Sequence, residues 1–435
     1  MKAKLWIGVI IAAVLLNGCG NRSASTDRQN ASENDQAETE GAETGTETEG
    51  AEVDQAETKE AETDQTETER AEDSQAKTDE TEADSAESEE ADTAVQSGKT
   101  QETRSRTEEE PPEYIEAGNT VTELESGFSV VRFEGNDGFD AFLNQGGAES
   151  DREVLKFLTG TMPGSAEGLT FEGDAFGCST ISVENTEGGY YFGRNFDWNK
   201  CDALVVLSYP ENGYASFSTV NVDFIRQGTG FASHFLKDEI LTVAALYAPL
   251  DGMNEKGLCV SVNMIQDGDT ISQNTEKPDI TTTTAIRMLL NQAADVEEAL
   301  QLLGQFDFHA SMGYMVHLAI ADSTGRSVAV EYIDNEMNVI ETPILTNFYL
   351  SEGEKNGIGT SQSHTRFEIL EHTLAKQPVM DSGQVRDALS SVSKGNFGEF
   401  ESTEWSVVFD QSALTAEYYH REDYSKRYAF NLFGQ

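Results

Sequence analysis

Residues 21–110 form an acidic tract that almost lacks the side chains from which a protein core is built. They hold 30 acidic and 8 basic residues, a net charge of −22, and no Phe, Trp, Tyr, Leu, Ile or Met. Val53 and Val95 are their only large aliphatic side chains. Such a segment buries too little apolar surface to offset the entropy cost of ordering it. We therefore predict a disordered acidic tether over residues 19–111.

The first 20 residues have the pattern of an export signal. Two lysines precede an apolar stretch over residues 5–16, and Cys19 directly follows Gly18. A small residue before Cys at the end of such a stretch resembles a bacterial lipobox. The resemblance implies a lipoprotein signal peptide over residues 1–18 and a lipid on the Cys19 thiol; an uncleaved N-terminal anchor is the alternative. Both interpretations predict a chain held at the bacterial cell membrane, with the lipid bilayer as a partner, and facing outside the cytoplasm.

The remaining residues, 111–435, are numerous enough for one large domain or two small ones. The full chain has a formal net charge of −50, whereas nucleic-acid binding requires clustered Lys and Arg. We therefore exclude nucleic acid as a partner. No run of 18 apolar residues follows the N-terminal stretch, so no further membrane span is predicted.

Patterns typical of β-strands dominate this foldable part. Residues 179–183 and 190–193 alternate around Gly188-Gly189, which is typical of a β-hairpin. Apolar residues at helical spacing predict one helix over 284–303. Further strands are predicted at 127–133, 204–209, 216–222, 257–263, 315–320, 327–333, 405–410, 414–420 and 427–432, and further helices at 139–143, 152–158, 365–374 and 383–392. Many strands with few interspersed helices favour α+β layers over a βαβ repeat.

Cys178 has the surroundings of a reactive cysteine. It begins the first strand of the predicted hairpin, and Arg194 and Asp197 stand at the far end of the second strand, so the hairpin brings all three together. A free thiol has a pKa of about 8.5 and needs a base to react at neutral pH. If the bond between Gly177 and Cys178 were cut, the new α-amine, with a pKa of roughly 7.7–8.0, would be a usable base.

The other cysteines and the histidines suggest no competing chemistry. Cys201 and Cys259 could pair in an oxidising compartment, although Cys259 lies in an apolar strand pattern that favours a buried, inert thiol. The histidines form neither an HExxH motif nor another paired metal spacing, and no GxSxG elbow occurs. We therefore predict neither a metal nor a cofactor.

Five motifs follow one another from residue 178 onwards. They are Cys178, Gly193-Arg194-Asn195-Phe196-Asp197, Asp251-Gly252-Met253-Asn254-Glu255-Lys256-Gly257-Leu258 with Asn263 after it, Leu345-Thr346-Asn347, and Ser363-His364-Thr365-Arg366-Phe367. Their order resembles that of the choloylglycine hydrolase family of linear amide C–N hydrolases. This family holds bile salt hydrolases, penicillin V acylases, and the N-acylethanolamine amidase and acid ceramidase group. The resemblance implies an αββα sandwich of the N-terminal nucleophile type over residues 178–435, preceded by a pro-segment or small N-terminal subunit at 112–177.

The resemblance also assigns catalytic roles around the hairpin. Cys178 is the nucleophile, and autocleavage between Gly177 and Cys178 frees the α-amine that serves as its base. Arg194 and Asp197 orient the amine and the thiol, and the arginine charge favours the thiolate. A surface salt bridge at a strand end is the alternative interpretation of Arg194 and Asp197.

Three later residues complete the implied site. Asn263 and Asn347 line the oxyanion hole, and Arg366 is the late arginine of the family's site. The alternatives are turn-forming asparagines at strand ends and a helix-surface arginine. The implied reaction is hydrolysis of the C–N bond of a small-molecule N-acyl amide, of the fatty N-acyl amide, penicillin V or conjugated bile acid type.

Two features depart from the bile salt hydrolases. Cys178 is internal, which resembles the acid ceramidase arrangement, in which self-cleavage gives two chains that stay together. Asn347 and Arg366 are only 19 positions apart, whereas bile salt hydrolases carry a longer insertion there that serves tetramer assembly. The short spacing counts against that tetramer and against bile-salt specificity. A surface-tethered lipoprotein that binds a ligand or partner without catalysis is the alternative function, but it does not account for the order of the motifs.

Deletion of residues 21–110 is expected to leave turnover of a soluble substrate unchanged. The tract lacks the apolar side chains it would need to pack against the rest of the chain. The measurement is hydrolysis of a detergent-free N-acyl amide by the deletion variant and the full chain. Loss of turnover with the fold preserved would contradict the tether interpretation.

Overall fold

A computed structural model describes residues 112–160, 177–229, 237–395 and 401–434 of the chain. The predicted signal peptide at 1–18, the predicted lipidation site Cys19 and the predicted tether at 19–111 lie outside the described residues, as does part of the predicted pro-segment. Within the described ranges, no helix combines the length and the apolar character needed to cross a bilayer.

Eighteen strands and eight α-helices lie within these ranges. The strands are β1 (Thr122–Glu125), β2 (Phe128–Gly135), β3 (Gly177–Asn185), β4 (Tyr190–Trp198), β5 (Ala203–Pro210), β6 (Ser216–Asn221), β7 (Asp251–Asn254), β8 (Cys259–Met264), β9 (Asp279–Thr281), β10 (Asp307–His309), β11 (Val316–Ala321), β12 (Ser327–Ile333), β13 (Glu336–Glu341), β14 (Ile344–Leu345), β15 (Val379–Met380), β16 (Ser402–Asp410), β17 (Thr415–His420) and β18 (Tyr428–Asn431). The helices are α1 (Phe139–Asn144), α2 (Asp151–Thr159), α3 (Val222–Thr229), α4 (Asp238–Leu246), α5 (Thr282–Gln292), α6 (Val296–Leu303), α7 (Ser361–Lys376) and α8 (Ser382–Ser391).

The strands form two large sheets. The first has nine strands in the order β1-β2-β5-β6-β7-β8-β11-β12-β13, and the second has seven, with β14-β3-β4-β16-β17-β18 in sequence and β15 beside β3. Strands β9 and β10 pair separately. The strand β2, which comes from the predicted pro-segment, runs parallel to β5 in the first sheet, from Phe128 opposite Ala203 to Gly135 opposite Pro210.

The two sheets pack face to face, and helices cover their outer faces. Between the sheets the Thr219 and Tyr418 hydroxyls lie 2.8 Å apart. On the outer face of the first sheet, Leu290 of α5 lies close enough to Gly252 to leave no room for a Cβ. On the outer face of the second sheet, Val385 of α8 lies close enough to Gly193 to leave no room for a Cβ. The prediction of α+β layers is confirmed, with the site residues drawn from both sheets.

One predicted helix, over 284–303, is wrong as a single element. The chain forms α5 and α6 instead, with Ala293 extended at φ −96° and ψ 129°. Asp295 caps the start of α6 by accepting the Glu298 N–H at 2.9 Å, and Asn254 donates to the Ala293 carbonyl at 2.7 Å. The helical spacing of the apolar residues continues across the break between α5 and α6. Only the side chains that cap the two helices indicate where the break lies.

A tight turn follows β7 and leads into β8. Gly257 has φ +79°, a conformation that glycine adopts without strain, and a Cβ at this position would lie 2.5 Å from the Gln411 carbonyl oxygen. Asn254 accepts the Lys256 N–H at 3.0 Å inside the turn. The sequence patterns did not predict helices α3 and α4 or the strands β1, β7, β9, β10, β13, β14 and β15.

The three cysteines in the described part of the chain are free and buried. Cys201 and Cys259 therefore do not pair, and the interpretation of Cys259 as a buried thiol is confirmed. Burial is the main cause that raises the pKa of both thiols well above their ordinary range.

Candidate active site

The β3–β4 hairpin brings the three predicted residues together. Its register sets Gly177 opposite Asp197, Cys178 opposite Phe196 and Thr180 opposite Arg194. The Arg194 guanidinium reaches back across the hairpin, and its Nη2 lies 3.7 Å from the Cys178 sulfur. The alternation of the two strands around their glycine turn thus decides which side chains share the face that points between the sheets.

Arg194 is a fully buried cation whose partners come from the opposite sheet. Its Nη1 lies 2.9 Å from the Asp251 carboxylate, and its Nη2 donates to the Val262 carbonyl at 2.9 Å. Both charged side chains are 0 % exposed, which excludes the alternative of a surface salt bridge for Arg194. The Trp405 indole donates to the same Asp251 oxygen at 3.0 Å, so the carboxylate that offsets Arg194 is itself held in place.

The surroundings of the Cys178 thiol in the intact chain raise its pKa, which favours the protonated form. Burial is the largest influence and raises its pKa above the ordinary range, Arg194 and Arg366 oppose that effect, and Asp197 adds to it. A thiol in this state needs a base before it can act as a nucleophile.

Arg366, from helix α7, contacts the backbone of the hairpin. Its Nη1 donates to the Cys178 carbonyl at 2.5 Å and to the Ser179 hydroxyl at 2.7 Å, and its Nη2 donates to Asn347 Oδ1 at 2.7 Å. The side chain is buried, so the alternative of a helix-surface arginine is excluded.

Asn347 holds the nitrogen of Cys178. Its Oδ1 accepts the Cys178 backbone N–H at 2.7 Å, and its Nδ2 donates to the Met264 carbonyl at 2.6 Å. Asn263 instead donates from Nδ2 to the carbonyls of Leu345, at 3.3 Å, and Thr346, at 3.1 Å. In the intact chain Asn347 thus contacts residue 178 directly, whereas Asn263 secures the segment that carries Asn347.

Asp197 leaves one carboxylate oxygen without a hydrogen-bond partner. Its Oδ1 accepts from the Thr403 hydroxyl at 2.7 Å, while its buried Oδ2 lacks a hydrogen bond. Arg366 Nη1 lies 3.7 Å from Oδ2. A Cβ built on Gly177 would lie 2.4 Å from Oδ2. An unsatisfied acceptor therefore lies directly beside the bond between Gly177 and Cys178.

Sequence reasoning missed several residues that support this site. Asp251 opens the motif at 251–258 but received no role, because its contact with Arg194 forms only when the two sheets pack together. Ser363 accepts the Asn347 backbone N–H at 2.6 Å, and Thr403 orients Asp197. Neither has a local sequence signal, because a serine or threonine at a strand or helix end is common. Within the described ranges, no three His, Cys, Asp or Glu side chains are grouped so that they could hold a metal ion.

Residues 178–348 match the model of the choloylglycine hydrolase family of linear amide C–N hydrolases, which confirms the family predicted from the sequence. The chain is similar to a bile salt hydrolase/transferase of Clostridium perfringens (strain 13 / Type A), with 28 % identity over 186 residues. That match covers 39 % of this chain and 53 % of the relative, so the chain spans about half the length of the curated relative it matches.

Two solved structures are similar to the chain. A variant of the conjugated bile acid hydrolase from Clostridium perfringens has a TM-score of 0.45 at 18 % identity, over 58 % of this chain and 92 % of that one. A penicillin V acylase from Agrobacterium tumefaciens has a TM-score of 0.40 at 18 % identity, over 56 % of this chain and 83 % of that one.

Replacing Arg194 by Met is expected to destabilise the fold by about 3–5 kcal/mol, because Asp251 would keep a buried charge without its partner. The double variant Arg194→Met with Asp251→Asn removes that charge and is expected to recover most of the loss. Urea unfolding of the three proteins measures both effects. A single variant as stable as wild type, or a double variant no more stable than the single one, would contradict this account of the buried pair.

Proposed function

We propose that this chain is an N-terminal nucleophile amide hydrolase that cuts itself between Gly177 and Cys178 and then uses Cys178 on an N-acyl amide. One observation carries the proposal: three different buried side chains hold three different atoms of residue 178. Asn347 accepts from its nitrogen at 2.7 Å, Arg194 lies 3.7 Å from its sulfur, and Arg366 donates to its carbonyl at 2.5 Å. A structural cysteine requires none of these contacts.

The first step is self-cleavage. The Cys178 sulfur attacks the Gly177 carbonyl carbon, a thioester forms as the C–N bond breaks, and the nitrogen of Cys178 becomes an amine. Water then hydrolyses the thioester, which leaves a carboxylate on Gly177 and restores the thiol. The Asp197 oxygen without a hydrogen bond lies beside Gly177 and is the acceptor we assign to the thiol proton, which it then passes to the departing nitrogen of Cys178.

The second step is turnover of a substrate amide. The freed α-amine of Cys178 stays within reach of Asn347 and takes the thiol proton, since its pKa of roughly 7.7–8.0 suits a base at neutral pH. Attack on the substrate carbonyl gives an acyl-enzyme, the amine returns the proton to the leaving group, and water releases the acid. In this mechanism the amide of Asn347 donates to the oxyanion, and the amide of Asn263 does so once it gives up its bond to the Leu345 or the Thr346 carbonyl. The Arg194 charge favours the thiolate.

An apolar cavity favours an apolar acyl group in the substrate. Phe196, opposite Cys178, stacks on Trp198 with ring centroids 6.1 Å apart, and Trp198 meets Phe224 edge-on at 5.3 Å. Phe224 borders an open pocket whose other apolar walls include Val154, Leu158, Tyr247, Ala248 and Met312. A fatty or aromatic acyl chain fits this lining, and the names of the relatives extend the class to bile acid and penicillin V conjugates.

The two chains produced by cleavage are expected to stay associated. Strand β2, on the N-terminal side of the cut, is hydrogen-bonded along its whole length to β5. Asp151, at the start of α2, accepts from the Ser311 hydroxyl at 2.7 Å and from the Met312 N–H at 2.8 Å. Separation of the chains would break these bonds and expose buried side chains of both parts.

Cys178→Ala is expected to abolish both self-cleavage and turnover, with turnover falling by about 10⁴-fold or more because the covalent nucleophile is lost. N-terminal sequencing of the wild-type protein should find a chain that begins Cys178-Ser179-Thr180. Hydrolysis of a panel of fluorogenic N-acyl amides with fatty, phenoxyacetyl and bile acid groups measures turnover and selects the acyl class.

The matched control is Cys201→Ala, which removes a buried thiol from outside this set of contacts and should leave cleavage and turnover intact. Wild-type turnover in the Cys178 variant would contradict the assignment of the nucleophile. An active enzyme whose only N-terminus lies upstream of residue 178 would contradict the self-cleavage.

We further propose that the protein is exported and anchored to the bacterial membrane through a lipid on Cys19. The charged and apolar pattern before Gly18 and Cys19 supports this. The full chain should fractionate with membranes, Cys19→Ser should move it to the soluble fraction, and Cys201→Ser should not. A Cys19 variant that stays in the membrane fraction would favour the uncleaved anchor instead.

A further inference from the structure

His317 and Glu331 form a buried pair for which the mechanism above has no use. They lie on the neighbouring strands β11 and β12, and both side chains are 0 % exposed. On the other side of His317, strand β8 carries Asn263 as its direct cross-strand partner. The three polar side chains therefore form a row across the first sheet, next to the segment that carries Asn347.

Both ring nitrogens of His317 face hydrogen-bond acceptors. Nδ1 lies 3.2 Å from the Glu331 carboxylate, and Nε2 lies 2.9 Å from the Thr346 carbonyl oxygen. A neutral imidazole has a single N–H and can satisfy only one of these acceptors, whereas an imidazolium satisfies both.

The surroundings of Glu331 favour its ionised form. Its two oxygens accept the backbone N–H groups of Leu350, at 2.8 Å, and Ser351, at 2.9 Å. Burial raises the pKa of Glu331, but His317 and these hydrogen bonds outweigh burial and bring that pKa below its usual range. Because a carboxylate that already accepts two N–H bonds does not readily take a proton, Glu331 acts as an acceptor in its contact with His317.

The Thr346 carbonyl belongs to the peptide unit that positions Asn347. That oxygen also accepts from Asn263 Nδ2 at 3.1 Å, and the N–H of the same peptide unit donates to the Ser363 hydroxyl at 2.6 Å. The side chain of Asn347 accepts the backbone N–H of Cys178 through its Oδ1 atom. A hydrogen bond from a charged donor is shorter and stronger than one from a neutral donor, so an imidazolium at His317 would fix this peptide unit firmly.

We propose that His317 is a positioning residue, held as an imidazolium by Glu331, which fixes the peptide between Thr346 and Asn347 so that Asn347 meets the nitrogen of Cys178. It touches neither the substrate nor the reacting atoms. Its effect on turnover rests on the proposed function, whereas its charge state does not.

Nuclear magnetic resonance of the full chain, labelled with ¹⁵N-histidine, tests the charge state directly. At pH 8 ordinary histidines are neutral, since their pKa is about 6.5. His317 is expected to retain protons on both ring nitrogens, and the signal is assigned by its loss in His317→Gln. A single ring N–H on His317 at pH 8 would overturn the proposal.

Kinetics of His317→Gln test the positioning role. The rate of self-cleavage and kcat should both fall by about 10²-fold, with KM little changed, because the nitrogen of Cys178 is misplaced rather than the substrate site. The control is His309→Gln, which also breaks a histidine–carboxylate pair, the 2.8 Å contact with Asp279, and should leave both rates unchanged. Equal losses in the two variants would overturn the proposal.

A double variant separates positioning from stability. His317→Gln with Glu331→Gln removes the buried carboxylate charge and should recover resistance to urea without recovering kcat or the self-cleavage rate. Recovery of both rates together with stability would reduce His317 to a structural role and overturn the proposal. A wild-type chain that neither cuts itself nor hydrolyses any amide would overturn the proposed function instead, and the ¹⁵N experiment would still decide the charge state.

Discussion

The buried guanidinium of Arg194 is the interaction on which the centre of this molecule depends. A charge in the space between two sheets is costly unless an opposite charge and hydrogen-bond acceptors match it. Here the match comes from the first sheet, through the Asp251 carboxylate at 2.9 Å and the Val262 carbonyl at 2.9 Å, while the arginine itself belongs to the second. The ion pair therefore ties the two sheets together at the point where the Cys178 sulfur lies, and it fixes both the spacing of the layers and the electrostatics of the thiol.

A second constraint acts on the backbone of residue 178. Its nitrogen and its carbonyl are held by Asn347 and Arg366, which come from a short segment after β14 and from helix α7. These two side chains also bond to each other at 2.7 Å, so neither can move alone. Such an arrangement suits catalysis, because a group that is already oriented loses little entropy when the reaction occurs. The buried Oδ2 of Asp197 lacks a hydrogen bond, as do the Nε atoms of Arg194 and Arg366. Of these atoms only the Asp197 oxygen is an acceptor, so it can receive a proton or an amine N–H.

Much of the fold could be predicted from local patterns, and the errors have physical causes. The hairpin was predictable because alternation and a glycine turn act within 20 residues. The continuous helix over 284–303 was wrong because its apolar spacing persists across the break, while the side chains that end α5 and start α6 are Asn254, from a distant turn, and Asp295. Helices α3 and α4 were missed, and each has a mixed composition whose helical form depends on packing more than on intrinsic preference.

The sequence by itself determined that residues 21–110 have no core to build, that Cys178, Arg194 and Asp197 share one hairpin, and which family the motif order resembles. These three conclusions follow from composition, from strand periodicity and from short-range turns. None of these depends on how the two sheets pack against each other. Only the tertiary structure decided that Arg194 is neutralised by Asp251, that Asn347 points its oxygen at the Cys178 nitrogen from 169 positions away, and that His317 joins Glu331 to the Thr346 carbonyl. Polar side chains of this kind carry no periodic signal, because their partners are fixed by which segments the packed sheets bring into contact and by the requirement that buried donors and acceptors be paired.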